Sequence, residues 1–308
     1  MRRPATRTIL IGFSLFLFFL VLRFPFSNLK GYIFSQINRN TGISVVFAED
    51  LYLTLIGWPG VGMKNVEVII PAGEGEIDMT AKRITARVGI GSIFPPSLSY
   101  SIAIDGLKKG GDLFVKLSNL KQSKRGVTGA SIYFSADKVD LSQFPIGGQP
   151  LLGKLSGELV NGTFQSDDLS KTTGNLTLNL ENISTPPANA QGFSIPPIRL
   201  GDVKAKIQAR NGTVELTNFQ MSGTGTDLEG QLGGEIRLLN PMAQSSINIT
   251  IRLKVSDSFA KSETGVTLIT MLDNYDRRTP GKAYNLRWNQ TFNEISQQFP
   301  LSGPVELP

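Results

Sequence analysis

The sequence predicts a mainly β protein with helices towards its two ends, and three observations lead there. Glycine supplies 32 of 308 residues and charged side chains only 18%, which is the usage of strands and turns rather than of helices. Over residues 43–255 apolar side chains recur at every second position in window after window, the period of a strand with one apolar and one polar face. Ahead of that stretch the period is 3.6, and before it lies a run with no charge at all.

That run, residues 9–22, reads ILIGFSLFLFFLVL, and it extends to Phe26 if the Arg23 side chain snorkels to the membrane surface. As a helix, residues 9–26 rise about 27 Å, close to the hydrocarbon thickness of a bilayer. Arg2, Arg3 and Arg7 precede it, so residues 1–26 are expected to form a basic cytoplasmic stub and a transmembrane signal anchor, with the bulk of the chain outside the cytosol. The sequence Arg23-Phe24-Pro25-Phe26 is bulky where a signal peptidase needs small side chains, which favours an uncleaved anchor over a cleaved signal peptide. The expected location is therefore a Gram-negative inner membrane, crossed once, with the body in the periplasm.

Residues 27–42 read as a short amphipathic helix. Leu29, Ile33 and Ile37 share a helical stripe, Phe26 and Tyr32 fall near it, and Asn40-Thr41-Gly42 ends it. Packing against the next domain is its first expected role, and lying on the membrane surface its second.

Residues 43–255 are the expected β-rich domain, either one elongated unit or two lobes meeting near 140–153. Its clearest strands are Val66-x-Val68-x-Ile70, Leu113-x-Val115-x-Leu117, Leu176-x-Leu178-x-Leu180, Val203-x-Ala205-x-Ile207 and Ile247-x-Ile249-x-Ile251-x-Leu253. Asp105-Gly106, Gly110-Gly111, Asn161-Gly162, Asn211-Gly212 and Gly233-Gly234 read as the turns between them. Pro186-Pro187 and Pro196-Pro197 bracket an expected non-strand insertion over 184–199. Beyond 255, Ser256 or Asp257 is expected to cap one helix towards Tyr275 with Val266, Ile269 and Leu272 on one face, followed by a mobile tail. Such strands can close as a sandwich, close as a barrel, or leave an apolar trough on a long curled sheet.

The chemistry is narrow. With no Cys and no His in the chain, thiolate nucleophiles, disulfides, imidazole metal ligands and the Ser-His-Asp triad are excluded. The net charge is +6, but after the amino-terminal arginines most cations are scattered singly along strands. Lys108-Lys109 and the cations of residues 121–125 sit beside Gly and Ser and read as solvated loop charge or, as the alternative, a patch for lipid headgroups, and no nucleic-acid partner is expected. Asp167-Asp168 reads as a loop or helix cap, and Asp273 with Asp276 lacks the spacing of a calcium loop. No catalytic, cofactor-binding or metal-binding residue is expected, and the chain reads as a non-enzymatic protein that works by binding.

Two blocks carry a resemblance. Phe24-Pro25, the amphipathic helix, Thr41-Gly42-Ile43, Leu51-x-Leu53-x-Leu55 and Gly62-Met63-x-Asn65-Val66 resemble the start of AsmA-like envelope proteins. Residues 200–239, LGDVKAKIQARNGTVELTNFQMSGTGTDLEGQLGGEIRLL, look like the signature block of the type II secretion system protein N (GspN) family. The resemblance implies an elongated, curled antiparallel sheet on an inner-membrane anchor. It implies a component of, or accessory to, type II protein secretion, with other subunits of that system as partners. The AsmA-like side implies the alternative, a lipid-binding or lipid-transport module that uses an apolar groove and has phospholipid as its partner. The candidate groove residues, from their period-2 spacing on consecutive strands, are Val203, Ile207, Leu232, Ile236, Ile249 and Ile251.

Overall fold

The computed structural model describes residues 30–54, 59–72, 75–89, 99–123, 126–146, 149–165, 168–190, 193–274, 276 and 283–292. The expected anchor, residues 1–26, and the expected mobile tail from 293 lie outside them. Among the described residues no helix is long and apolar enough to cross a membrane.

The first described element is the amphipathic helix, α1 (Lys30–Thr41). It stops where the sequence predicts. Gly42 takes φ +73°, a left-handed value cheap only for glycine, and its N–H donates to the Asn38 carbonyl at 2.8 Å. Ile37 of the expected stripe is half-buried and Phe34 beside it reaches the core, whereas Tyr32 is 65% exposed.

Fourteen strands then form one antiparallel sheet. Along one edge lie β1 (Ser44–Phe47) and β2 (Asp50–Thr54), end to end against β3 (Gly60–Ala72). Next in spatial order come β4 (Gly75–Val88), β5 (Tyr100–Leu107), β6 (Asp112–Ser123) and β7 (Gly126–Asp140). A short excursion follows, containing β8 (Pro145–Ile146) and β9 (Gln149–Pro150), which pair only with each other. The sheet resumes with β10 (Leu152–Gln165) directly against β7, so the strand order is unbroken across residues 140–153. Beside it stands β11 (Thr173–Ser184). A second excursion is the two-stranded hairpin β12 (Ala188–Ala190) and β13 (Phe193–Ile195), so the 184–199 insertion is not strand-free as expected. The order ends with β14 (Arg199–Arg210), β15 (Thr213–Ser222), β16 (Leu228–Arg237), β17 (Ser246–Val255) and β18 (Tyr284–Thr291).

Two further expectations need correction. The sheet does not stop at Val255: β18 pairs with β17 from Leu253↔Tyr284 to Ser246↔Thr291, and its Tyr284-x-Leu286-x-Trp288 alternation is legible in the sequence. Nor is the intervening helix continuous. It is two helices, α2 (Asp257–Ala260), capped by Ser256, and α3 (Glu263–Asp273), capped by Ser262. Both hydroxyls accept backbone N–H groups, from Phe259 and Gly265 respectively. The helices turn so tightly that a Cβ on Gly265 would fall 1.8 Å from the Phe259 carbonyl oxygen. Leu272 is buried and Ile269 packs beside it, but Val266 is 53% exposed and off the packed face.

Asn-Gly pairs split into two uses. Asn211-Gly212 is the expected hairpin turn, with φ +49° and +75° as a type I′ turn requires. Asn161-Gly162 is instead inside β10, where Asn161 has φ +52° and the pairing slips by a residue. Asp105-Gly106 and Gly233-Gly234 likewise lie within strands. Asparagine visits the left-handed region readily, so the same dipeptide serves a turn or a β-bulge.

Candidate functional site

The bulges line up. Asn65, Gly106, Lys138, Asn182 and Gly201, on β3, β5, β7, β11 and β14, all have positive φ. Neighbouring side chains take up the amides left over: Gly106 N–H donates to Asp112 Oδ1 at 2.6 Å, Lys138 N–H to Ser156 Oγ at 3.0 Å, and Asn182 N–H to Asp202 Oδ1 at 3.0 Å. In a regular strand residues three apart face opposite sides. Here Met63 and Val66, Ile104 and Leu107, and Ala136 and Val139 pack into one cluster, and Leu180 with Ile183 and Leu200 with Val203 into another. The bulge on each strand keeps apolar side chains on one face while bending the strand. The result is a line of bulges running across the strands, a crease in the pairing pattern.

On one side of the crease the side chains close on one another. Val66, Val68, Met79, Ala81, Leu107 and Val139 are all 4% exposed or less. On the other side, register places apolar residues opposite apolar residues from edge to edge. One row runs Leu51, Met63, Ile84, Ile104, Leu113, Ala136, Gly157, Leu178, Ala205, Phe219, Leu232, Ile251, Leu286. The next runs Leu53, Val61, Ala86, Ile102, Val115, Phe134, Leu159, Leu176, Ile207, Leu216, Gly234, Ile249, Trp288. Neither row contains a polar residue. At the usual strand spacing each is about 57 Å long.

The first row is covered over much of its length, with Ile104, Leu113 and Ala136 in one buried cluster, Phe219 in another and Ala205 3% exposed; the second row is covered less. At the β1 edge Phe34 of α1 packs with Met63 and Ile84, and at the β18 edge Phe259, Leu268 and Leu272 pack with Ile251 and Leu286. Between them Val115, Leu159, Leu176, Leu178, Ile207 and Leu216 stay half-buried and outside every buried cluster, and Ile102 is 47% exposed. An apolar surface this long is unusual on a monomer unless something binds to it.

The expected groove residues all fall on this face, though not all in its open part. Ile207 is in the open middle. Leu232, Ile236 and Ile251 are half-buried towards the β18 side, the last against the helices. Val203 is 6% exposed in the cluster with Leu141 and Ile183, and Ile249 is 7% exposed. Leu159, Leu176, Leu178 and Phe219 were not among the expected set. Their signal was the same alternation on β10, β11 and β15, hidden on β15 by the extra residue between Leu216 and Phe219.

The opposite face is polar. Lys204 opposes Gln220 and Asn179, and Glu158 opposes Ser135 and Thr177. Tyr133 donates its hydroxyl proton to Glu158 at 2.7 Å and stacks edge-on against Phe114 at 5.9 Å. Asp168 caps a 3-10 turn as expected, accepting from Ser170 N–H, and the bond from Lys171, then those from Ser170, hold its carboxyl below the usual range.

The acidic groups at the β18 end are clamps. Tyr284 donates to Asp273 at 3.0 Å and Asn285 N–H to Asp276 at 2.9 Å, tying the end of α3 to β18. Burial, then the Asp273 bond and the nearby carboxylates, push the Tyr284 phenol up to about 12. Asp227 accepts from the Arg199 backbone at 2.8 Å and its guanidinium at 3.0 Å. Burial opposes its ionisation, but the Arg199 bonds outweigh it and hold the carboxyl below its ordinary value. Among the described residues no group of three or more acidic side chains is placed to hold a metal ion.

Comparison with known proteins returns no matching family model, no matching curated protein and no matching solved structure.

Proposed function

We propose that this chain is a non-enzymatic envelope protein whose apolar sheet face holds the acyl chains of phospholipids. The supporting observation is the pair of unbroken apolar rows crossing thirteen strands of the large sheet from β2 to β18, along which Val115, Leu159, Leu176, Leu178, Ile207 and Leu216 stay half-buried outside every buried cluster. A curl of the sheet about that face, of the kind the AsmA-like resemblance implies, would shield acyl chains while leaving headgroups to water. Two half-buried rows side by side suit a linear hydrocarbon, since each buried CH₂ gains about 0.8 kcal/mol. The bulges supply such curvature, because each bends its strand.

The test is to purify residues 27–308, which keep α1 on β1, and identify bound molecules by native mass spectrometry. Co-purified phospholipid supports the reading, and a stable, monodisperse, lipid-free protein contradicts it.

The secretion reading is the second proposal. It rests on the resemblance of residues 200–239, which form most of β14 and all of β15 and β16, and on a feature of the fold, the outer edge of β18, where a partner strand could add. Envelope crosslinking that recovers secretion-system subunits would support it, and recovery of none would count against it.

A further inference from the structure

The largest exposed apolar side chains near the start of the described chain are gathered at one rim. Tyr32 is 65% exposed, Val46 55% and Phe47 53%. They share that rim because α1 runs back along β1: Lys30 Nζ donates to the Ala48 carbonyl at 3.1 Å, and Asn38 Nδ2 to Ser44 Oγ at 2.7 Å. Tyr32, early on α1, therefore lies level with the end of β1 that bears Val46 and Phe47. Asp50 is paired with Lys64 at 3.3 Å, Glu49 accepts from Asn65, and Glu67 stands opposite Phe47 in register, so carboxylates as well as Lys30 and Lys64 border the rim.

Chain length says what that surface meets. Only residues 27–29 separate α1 from the apolar run that ends at Phe26. Four residue steps reach at most about 14 Å when fully extended. If residues 9–26 span a bilayer, Lys30 cannot lie farther than that from where the span ends. The first members of the two apolar rows, Leu51 and Leu53, follow Phe47 almost directly in the chain.

We propose that the α1–β1 rim seats on the phospholipid bilayer that holds the anchor, with Tyr32, Val46 and Phe47 in the headgroup layer. The second row, whose first member Leu53 is half-buried and outside the buried clusters, then begins close to the membrane surface, where an acyl chain can pass from bilayer to sheet. The proposal rests on the anchor reading and deepens the lipid reading.

The chain has no cysteine, so single labels are clean. Full-length protein carrying Phe47→Cys, or separately Tyr32→Cys, is labelled with an environment-sensitive fluorophore. It is placed in phosphatidylethanolamine–phosphatidylglycerol nanodiscs containing a headgroup-level nitroxide quencher. Asn289→Cys, exposed on the far edge strand, is the reference. Quenching at 47 and 32 at least about threefold stronger than at 289 is expected. Equal quenching at the three sites, or a chain that does not remain with the nanodisc, overturns the proposal. Phospholipid carried by residues 27–308 is scored separately: lipid without rim quenching removes the seat and leaves the groove, and rim quenching without lipid does the reverse.

Discussion

Ile102 and Leu107 lie five residues apart on one strand, yet Ile102 is 47% exposed and Leu107 only 3%. Between them is Gly106, at φ +63°. The same contrast recurs on β11, where Ile183 is 4% exposed and Leu178, across Asn182, is half-buried and outside every buried cluster. Residue type does not separate the two regions, since both are built from branched and aromatic side chains. What separates them is the crease. Next to it, Ile104, Leu107, Ala136 and Val139 close in one cluster and stabilise the fold, whereas farther out Ile102 is exposed and Leu176 half-buried outside every cluster.

That contrast should appear first in stability. Leu107→Ala empties a closed site and should cost about 3 kcal/mol, whereas Ile102→Ala should cost less than about 1 kcal/mol. Urea unfolding followed by circular dichroism reads both, and similar costs would erase the distinction.

Next in size is the clamp that ties the start of β14 to the loop before β16. Asp227→Asn removes a charge-assisted pair and should cost about 2 kcal/mol at neutral pH. Because the folded carboxyl titrates below its unfolded value, its contribution is present above about pH 4 and lost as pH falls through the lower folded value. The variant should therefore lose stability less steeply on acidification than the parent, as read from midpoints at successive pH values.

At the crease, Asn182→Ala forces a Cβ-bearing residue with no compensating side chain into a left-handed position at φ +54°, a cost of about 1 kcal/mol. A matching Asn→Gly change should be close to neutral. If alanine is tolerated as well as glycine, the crease is not set by backbone conformation.

The smallest effect belongs to the β18 end. Tyr284 is held protonated up to about pH 12, so its stabilisation is full below pH 10 and lost as pH rises through 12. Tyr284→Phe should cost about 1 kcal/mol at neutral pH and remove the titration step near pH 12 from the ultraviolet phenolate spectrum.

Much of this architecture was legible as period-2 alternation. The strands at Val66, Leu113, Leu176, Val203 and Ile247 are where alternation puts them, and so is the turn at Asn211-Gly212. Misreadings came where local chemistry has two outcomes. Asn161-Gly162 satisfies either a turn or a bulge, and only pairing on both sides of β10 chooses the bulge. The groove was legible one strand at a time, as at Ile207 and Leu232, but the row is a property of register, and register across thirteen strands is not written in any one of them. Val203 shows the limit: it alternates like Ile207, yet lies beside the crease and is buried in a cluster built from residues distant in sequence.

The most direct test of the acyl-chain face compares neighbours that point to opposite sides. A photoreactive benzoyl-phenylalanine is placed at Leu176, Leu178 or Thr177 of β11 in intact cells, irradiated, and the adducts are weighed by mass spectrometry. Phospholipid adducts at 176 and 178 but not at 177 are the expected result. Adducts equally frequent at all three positions, or absent from 176 and 178, would contradict the account.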